Sequence, residues 1–121
     1  MKRDLNLIRE ILVAIENSEN PNVAFDSIEE LAISLERNDL SNVSFQVSLL
    51  EDASLIKTGK AMLGQGYPDV PIYRLTNNGY SYLENIRDKT IWEKIFPKLT
   101  TASDSLAVST VSNLITQLLI K

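Results

Sequence analysis

Cysteine and histidine are both missing from the 121 residues. Without cysteine there is no disulfide, no thiolate nucleophile and no zinc–sulfur centre. Without histidine the chain lacks the side chain that titrates near neutral pH and the commonest metal ligand. Ser/His and Cys/His triads are therefore excluded, which leaves carboxylate, lysine, tyrosine and hydroxyl groups for any chemistry. Glycine and proline are scarce, four of each, and Gly64-Gln65-Gly66 is too short for a phosphate-cradling fingerprint. No apolar run approaches the roughly 18 residues needed to span a bilayer. Met1-Lys2-Arg3-Asp4 leads into a stretch broken by Asn6, Arg9 and Glu10, where an export signal needs uninterrupted apolar residues. The expectation is a cytoplasmic protein with no membrane contact.

Hydrophobic residues make up 44% and charged residues 23%, enough apolar material for a packed core and too little chain for two. The net charge of −4 is unevenly spread. Residues 1–40 hold four basic and nine acidic side chains, residues 41–75 three of each, and residues 76–121 five basic and four acidic. Nucleic-acid binders are usually basic or carry a basic stripe, so an acidic front and a neutral middle count against strong DNA affinity.

Leu5, Ile8, Leu12 and Ile15 recur at spacings of three and four and predict a helix over 3–17, ended by the turn-rich Asn17–Asn22. Val23-Ala24-Phe25 reads as a short extended piece or a linker. Asp26 or Ser27 can cap a second helix, stopped by Asn38-Asp39, and with Ser27 as the cap Glu30 three residues on completes a capping box. Ser41 or Asn42 caps a third helix reaching about Asp52, with Val43, Val47 and Leu50 inward and Ser44, Ser48, Glu51 and Asp52 outward. A hairpin follows, with arms at about 55–62 and 72–75 and its tip at Gly64–Asp69. Thr76 caps a fourth helix, in which Tyr80, Leu83 and Ile86 lie on adjacent turns. Gly79 there costs about 1 kcal/mol relative to Ala and marks a close backbone approach. Residues 90–96 continue helically, either as an extension of the fourth helix or after a kink, until Pro97 interrupts. A last helix starts at Ser103 or Asp104 and runs to about Ile120, with no charge between Ser105 and Ile120 and with Ala107, Val111, Leu114 and Leu118 in one apolar row.

The segment Ser44-Phe45-Gln46-Val47-Ser48-Leu49-Leu50-Glu51-Asp52-Ala53-Ser54-Leu55-Ile56 resembles the recognition-helix region of bacterial winged-helix repressors, although Ser54 stands where those usually have glycine. Tyr73-Arg74-Leu75-Thr76-Asn77-Asn78-Gly79-Tyr80-Ser81-Tyr82-Leu83 is similar to their end-of-wing pattern. Met1–Leu12 looks like the opening of a bacterial and prophage family known as a domain of unknown function, and Ile86-Arg87-Asp88-Lys89-Thr90-Ile91-Trp92 is similar to its most distinctive motif. That resemblance spans roughly residues 1–118 and is weakest over 17–42. It implies a winged-helix fold and a phage or mobile-element setting, and no mechanism.

The resulting expectation is an α+β, mostly helical chain: a winged helix-turn-helix over 1–100 and a C-terminal helix over 101–121. That helix either docks on the domain or forms a dimer seam through Ala107, Val111, Leu114 and Leu118. No catalytic residue, metal ligand or cofactor is expected. Candidate contacts are Ser41, Asn42, Ser44 and Ser48 on the third helix, and Lys57, Lys60, Gln65, Tyr67 and Arg74 on the wing. The third helix carries no Arg or Lys, whereas Arg-to-guanine is the commonest specific base contact. The leading expectation is therefore a non-enzymatic regulatory protein of phage type that binds a protein partner or a second copy of itself. A winged-helix transcriptional regulator binding duplex DNA is the alternative. Trp92 reads as a core or interface anchor, Arg9 as locally ion-paired with Asp4 and Glu10, and the carboxylates Glu29, Glu30 and Glu36 as solvated.

Overall fold

In the computed structural model, which describes residues 1–120, the first helix begins where Asp4 accepts a hydrogen bond from Leu7 N and caps α1, Leu5–Asn17. Its inward face, Leu5, Ile8, Ile11, Leu12 and Ile15, is buried as the spacing requires, and Leu7 joins it. Each such side chain contributes about 1.5–3 kcal/mol on burial. Ser27 caps α2, Ile28–Ser34, by accepting from Glu30 N, while the Glu30 carboxylate accepts from Asp26 N. This helix is shorter than expected. Glu36 takes a left-handed conformation with φ of 57° and turns the chain before Asn38-Asp39 is reached. The third helix, α3, spans Leu40–Asp52, and its cap is Asp39 rather than Ser41 or Asn42.

The wing consists of β1, Ile56–Thr58, and β2, Ile72–Leu75, paired antiparallel with Ile56 opposite Leu75 and Lys57 opposite Arg74. A register shift follows, so that Thr58 pairs with Ile72. The first arm is shorter than expected, but an isolated bridge between Met62 and Asp69 closes the hairpin again near its tip. Phe25 exchanges backbone hydrogen bonds with Ile72 and Ala24 N donates to Tyr73 O, so Val23–Phe25 is an extended piece lying against the wing, not a linker. Antiparallel pairing on its other side shields β2 from becoming an open edge.

Thr76 caps α4, Asn77–Ile86, and a Cβ added to Gly79 would collide with the Leu55 carbonyl oxygen. The expected close approach is real. The buried tyrosine of α4 is Tyr82, whose hydroxyl donates to Ser105 O, whereas Tyr80 is exposed. Asp88 starts a separate helix, α5, Lys89–Leu99. Pro97 lies inside its last turn rather than ending it. The last helix, α6, spans Val108–Leu119, because residues 103–106 are turns. It packs against α4 and α5, with Val111 buried and Ala107, Leu114 and Leu118 half-buried. Lys121 lies outside the described residues. Among the described residues no helix is long and apolar enough to cross a membrane, and no three acidic side chains cluster in a way that could hold a metal ion.

The two segments that carry the family resemblance meet in space. Arg9 donates to Ile86 O at 2.9 Å and to Arg87 O at 2.6 Å, Arg87 pairs with Glu16, and Trp92 Nε1 donates to Asn6 Oδ1 at 2.9 Å. Arg9 thus bridges α1 to the end of α4, not to Asp4 and Glu10 beside it. Trp92 is buried, edge-on to Phe96 at a centroid distance of 5.5 Å.

Candidate nucleic-acid and partner interface

Helix α3 turns Val43, Val47 and Leu50 into the core and Ser41, Ser48, Glu51 and Asp52 to solvent, with Phe45 and Leu49 half-buried along its outer face. Its first turn is held by side chains from before it. Arg37 donates twice to the Asp39 carboxylate, at 3.0 and 2.9 Å, and Asn42 donates to it at 3.3 Å. The Arg37 hydrogen bonds hold the Asp39 carboxyl at about 2, well below the usual carboxylate range. Both Asp39 oxygens are engaged in this way, and its side chain makes no capping hydrogen bond to the helix.

Several candidate contacts prove to be occupied. Ser44 is buried, and its hydroxyl donates to Pro68 O at 2.5 Å, tying α3 to the wing. It is placed as a brace rather than displayed. Asn42 spends its amide on Asp39 and its carbonyl oxygen on Gln46 Nε2. Ser48 is exposed, with its hydroxyl donating back to Phe45 O at 2.6 Å. Ser41 is exposed at the start of the helix.

Gln46 is a residue that reading the pattern missed. It is fully buried, accepts from Asp4 N at 2.9 Å and donates to Lys2 O at 2.8 Å. The N-terminal segment is thereby clasped to α3. Arg3 next to it donates to Ser105 Oγ at 2.7 Å, which fastens the same segment to the turns before α6. The only available signal was a glutamine flanked by apolar residues.

On the wing, Lys57, Lys60 and Gln65 are exposed and Tyr67 is half-buried, packed against the core cluster. Arg74 is exposed, although one guanidinium nitrogen donates to Leu75 O at 3.0 Å. Lys57 and Arg74 stand directly opposite one another, so two cations are adjacent on one face of the ladder. Like charges in that position are destabilising. From Ala53 to Leu83 the chain has Lys57, Lys60 and Arg74 against one acid, Asp69, whose carboxylate accepts from Ile28 N at 2.8 Å. An open groove of about 270 Å³ separates α3 from the wing, lined by Ser48 and Glu51 on one side and Thr58 and Val70 on the other.

A helix-turn-helix of α2 and α3 followed by a hairpin braced on α3 defines the winged-helix class of protein. The chain belongs to the family described as hypothetical protein (DUF2513), whose model matches residues 2–105. No curated protein matches it significantly. Among solved structures, its fold is similar to AbsC, a MarR family transcriptional regulator from Streptomyces coelicolor, with a TM-score of 0.51 and 20% identity. That superposition covers 75% of this chain and 55% of AbsC, so the chain spans about half of the AbsC length. A mutant of ZitR from Lactococcus lactis matches with a TM-score of 0.47 and 16% identity, over 98% of this chain and 74% of that one.

Proposed function

We propose that this protein is a winged-helix regulator that binds duplex DNA and acts on transcription, without enzymatic activity. The observation that carries the reading is the charge of the wing. An acidic chain of net charge −4 places Lys57 and Arg74 side by side at a cost to its own stability, with Lys60 beyond them and the local acid Asp69 engaged elsewhere. Phosphates would offset that cost. The description of AbsC as a transcriptional regulator supports the same reading. In it, the wing supplies phosphate contacts, and the outer face of α3 lies over the major groove with Ser41 and Ser48 toward it. A second copy would give two half-sites, and the Leu114, Leu118 and Leu119 edge of α6 is the surface offered to it. A phage or prophage gene expressed in a bacterial cytoplasm is the setting that goes with this reading.

The test is fluorescence anisotropy with mixed-sequence duplex over a salt series. Three phosphate contacts per protomer give a log–log salt slope of about −3, and Lys57→Gln with Arg74→Gln reduces it by about two. If micromolar protein leaves duplex unbound at low salt, the reading is wrong. A second reading, a protein partner held on α3, is favoured by that helix's lack of any Arg or Lys and by its half-buried Phe45 and Leu49. Under it, Phe45→Ala abolishes capture of a defined host protein and duplex binding is absent.

A further inference from the structure

The wing ends in the most exposed large apolar side chain among the described residues, Leu63, at 87%, beside Met62 at 66%. The two lie at a held tip. Met62 N donates to Asp69 O at 2.7 Å and Asp69 N returns a bond to Met62 O at 3.2 Å, which closes the hairpin just below Leu63. Gly64 and Gly66 take φ of 104° and 81°, and a Cβ on either would meet nothing within 4 Å. The turn therefore stands clear of the body. Its base is fixed, because Pro68 O accepts from Ser44 of α3 and Asp69 Oδ1 accepts from Ile28 N at the start of α2. The tip is mounted on both helices of the helix-turn-helix.

An apolar tip flanked by cations has a specific counterpart in duplex DNA. Residues such as Leu and Met enter the minor groove between base steps, unstack them and kink the helix, while basic side chains meet the phosphates on either side. Lys57 and Lys60 precede the tip on its own strand, and Gln65 beside Leu63 offers an amide to the acceptors that A·T pairs present there. We propose that Leu63, backed by Met62, is a minor-groove wedge that unstacks and kinks A·T-rich duplex, with Lys57 and Lys60 on the flanking phosphates. The proposal rests on the duplex-binding reading above and adds the groove, the sequence class and the deformation.

The experiment uses the full chain with alternating A·T and G·C duplexes. The A·T duplex carries 2-aminopurine to report unstacking and a dye pair at its ends to report bending. Wild type should raise 2-aminopurine fluorescence, shorten the end-to-end distance and be displaced by a minor-groove ligand. Leu63→Ala should lose the unstacking and the bend and bind about tenfold more weakly, while Ile33→Ala, an exposed apolar residue on α2 away from the tip, should match wild type. Leu63 is solvated, so the variant folds. If wild type binds duplex and Leu63→Ala unstacks and bends it equally, the wedge is wrong and the duplex reading stands. If wild type binds no duplex, both fall. Leu63-dependent retention on anionic vesicles without duplex binding would overturn the proposal in favour of a membrane contact.

Discussion

Ser54 ends the turn from α3 into the wing with φ of 61°, a left-handed conformation that costs a non-glycine residue about 1–2 kcal/mol. Its carbonyl accepts from Thr76 Oγ1 at 2.6 Å, a backbone interaction that survives any side-chain change. Ser54→Gly is therefore expected to stabilise the fold by about 1 kcal/mol, offset in part by the freer unfolded chain. A melting temperature that stays level or falls would refute this. Asp39 gives a pH-dependent counterpart. Its carboxyl is held at about 2, chiefly by the Arg37 hydrogen bonds, which outweigh the opposing effect of burial, and further by Asn42. A folded value below the unfolded 3.8 contributes stability above about pH 4 that is lost as the pH falls toward 2. Asp39→Asn should accordingly be less stable than wild type near neutrality and equal to it by about pH 2. Urea melts of both proteins across that range check it, and a constant difference would rule the pair out as the cause. Residue roles were legible in the sequence where the partner is local. Ser27 and Thr76 cap helices by accepting from a backbone N–H three residues on. Ser44 and Gln46 were not legible, because their partners lie 24 and 42–44 residues away.

At the scale of elements, Gln46 does for the N-terminal segment what Arg9 does for the end of α4. Each is one side chain bonded to two backbone groups of another part of the chain. Replacing Gln46 by Leu keeps the volume and removes the partners of Asp4 N and Lys2 O. Fully buried groups left unpaired cost about 1–3 kcal/mol, and these two are buried in part, so the loss falls toward about 1 kcal/mol. The expected outcome is a loss of that size, with faster amide exchange in the first turn of α1 and little change in α5. A variant as stable as wild type would mean that the clasp contributes nothing. Amphipathic elements with a clear period, α1 above all, are read from sequence because burial on one face is what selects the period. The early end of α2 is not, since it depends on Glu36 accepting a left-handed turn that nothing in its side chain favours. Pro97 misleads for a related reason: proline removes one N–H and crowds the preceding turn, yet α5 continues through it for two more residues. The pairing of Phe25 with Ile72 spans 47 positions and leaves no local trace.

For the whole molecule, the organising fact is that the wing of an acidic chain carries a local excess of positive charge, Lys57, Lys60 and Arg74 against Asp69, while Glu51 and Asp52 stand at the exposed end of α3. If the wing and α3 together face a duplex, those two carboxylates oppose it. Each sits within about one Debye length of any phosphate the helix approaches at 0.1 M salt, so the repulsion is only partly screened. A protein that gathers cations on one element and keeps acids on the next gives up affinity, and this limits lodging on arbitrary DNA, where binding is almost wholly electrostatic. Glu51→Gln combined with Asp52→Asn is therefore expected to raise affinity for mixed-sequence duplex about three- to tenfold at low salt, with the gain shrinking as salt rises. Both residues are exposed, so stability should hold within about 0.5 kcal/mol. Anisotropy titrations of the double variant at several salt concentrations measure this directly. An affinity equal to wild type at every salt concentration would place α3 away from the phosphates. The duplex would then be held by the wing alone, leaving the outer face of α3 free for a protein partner.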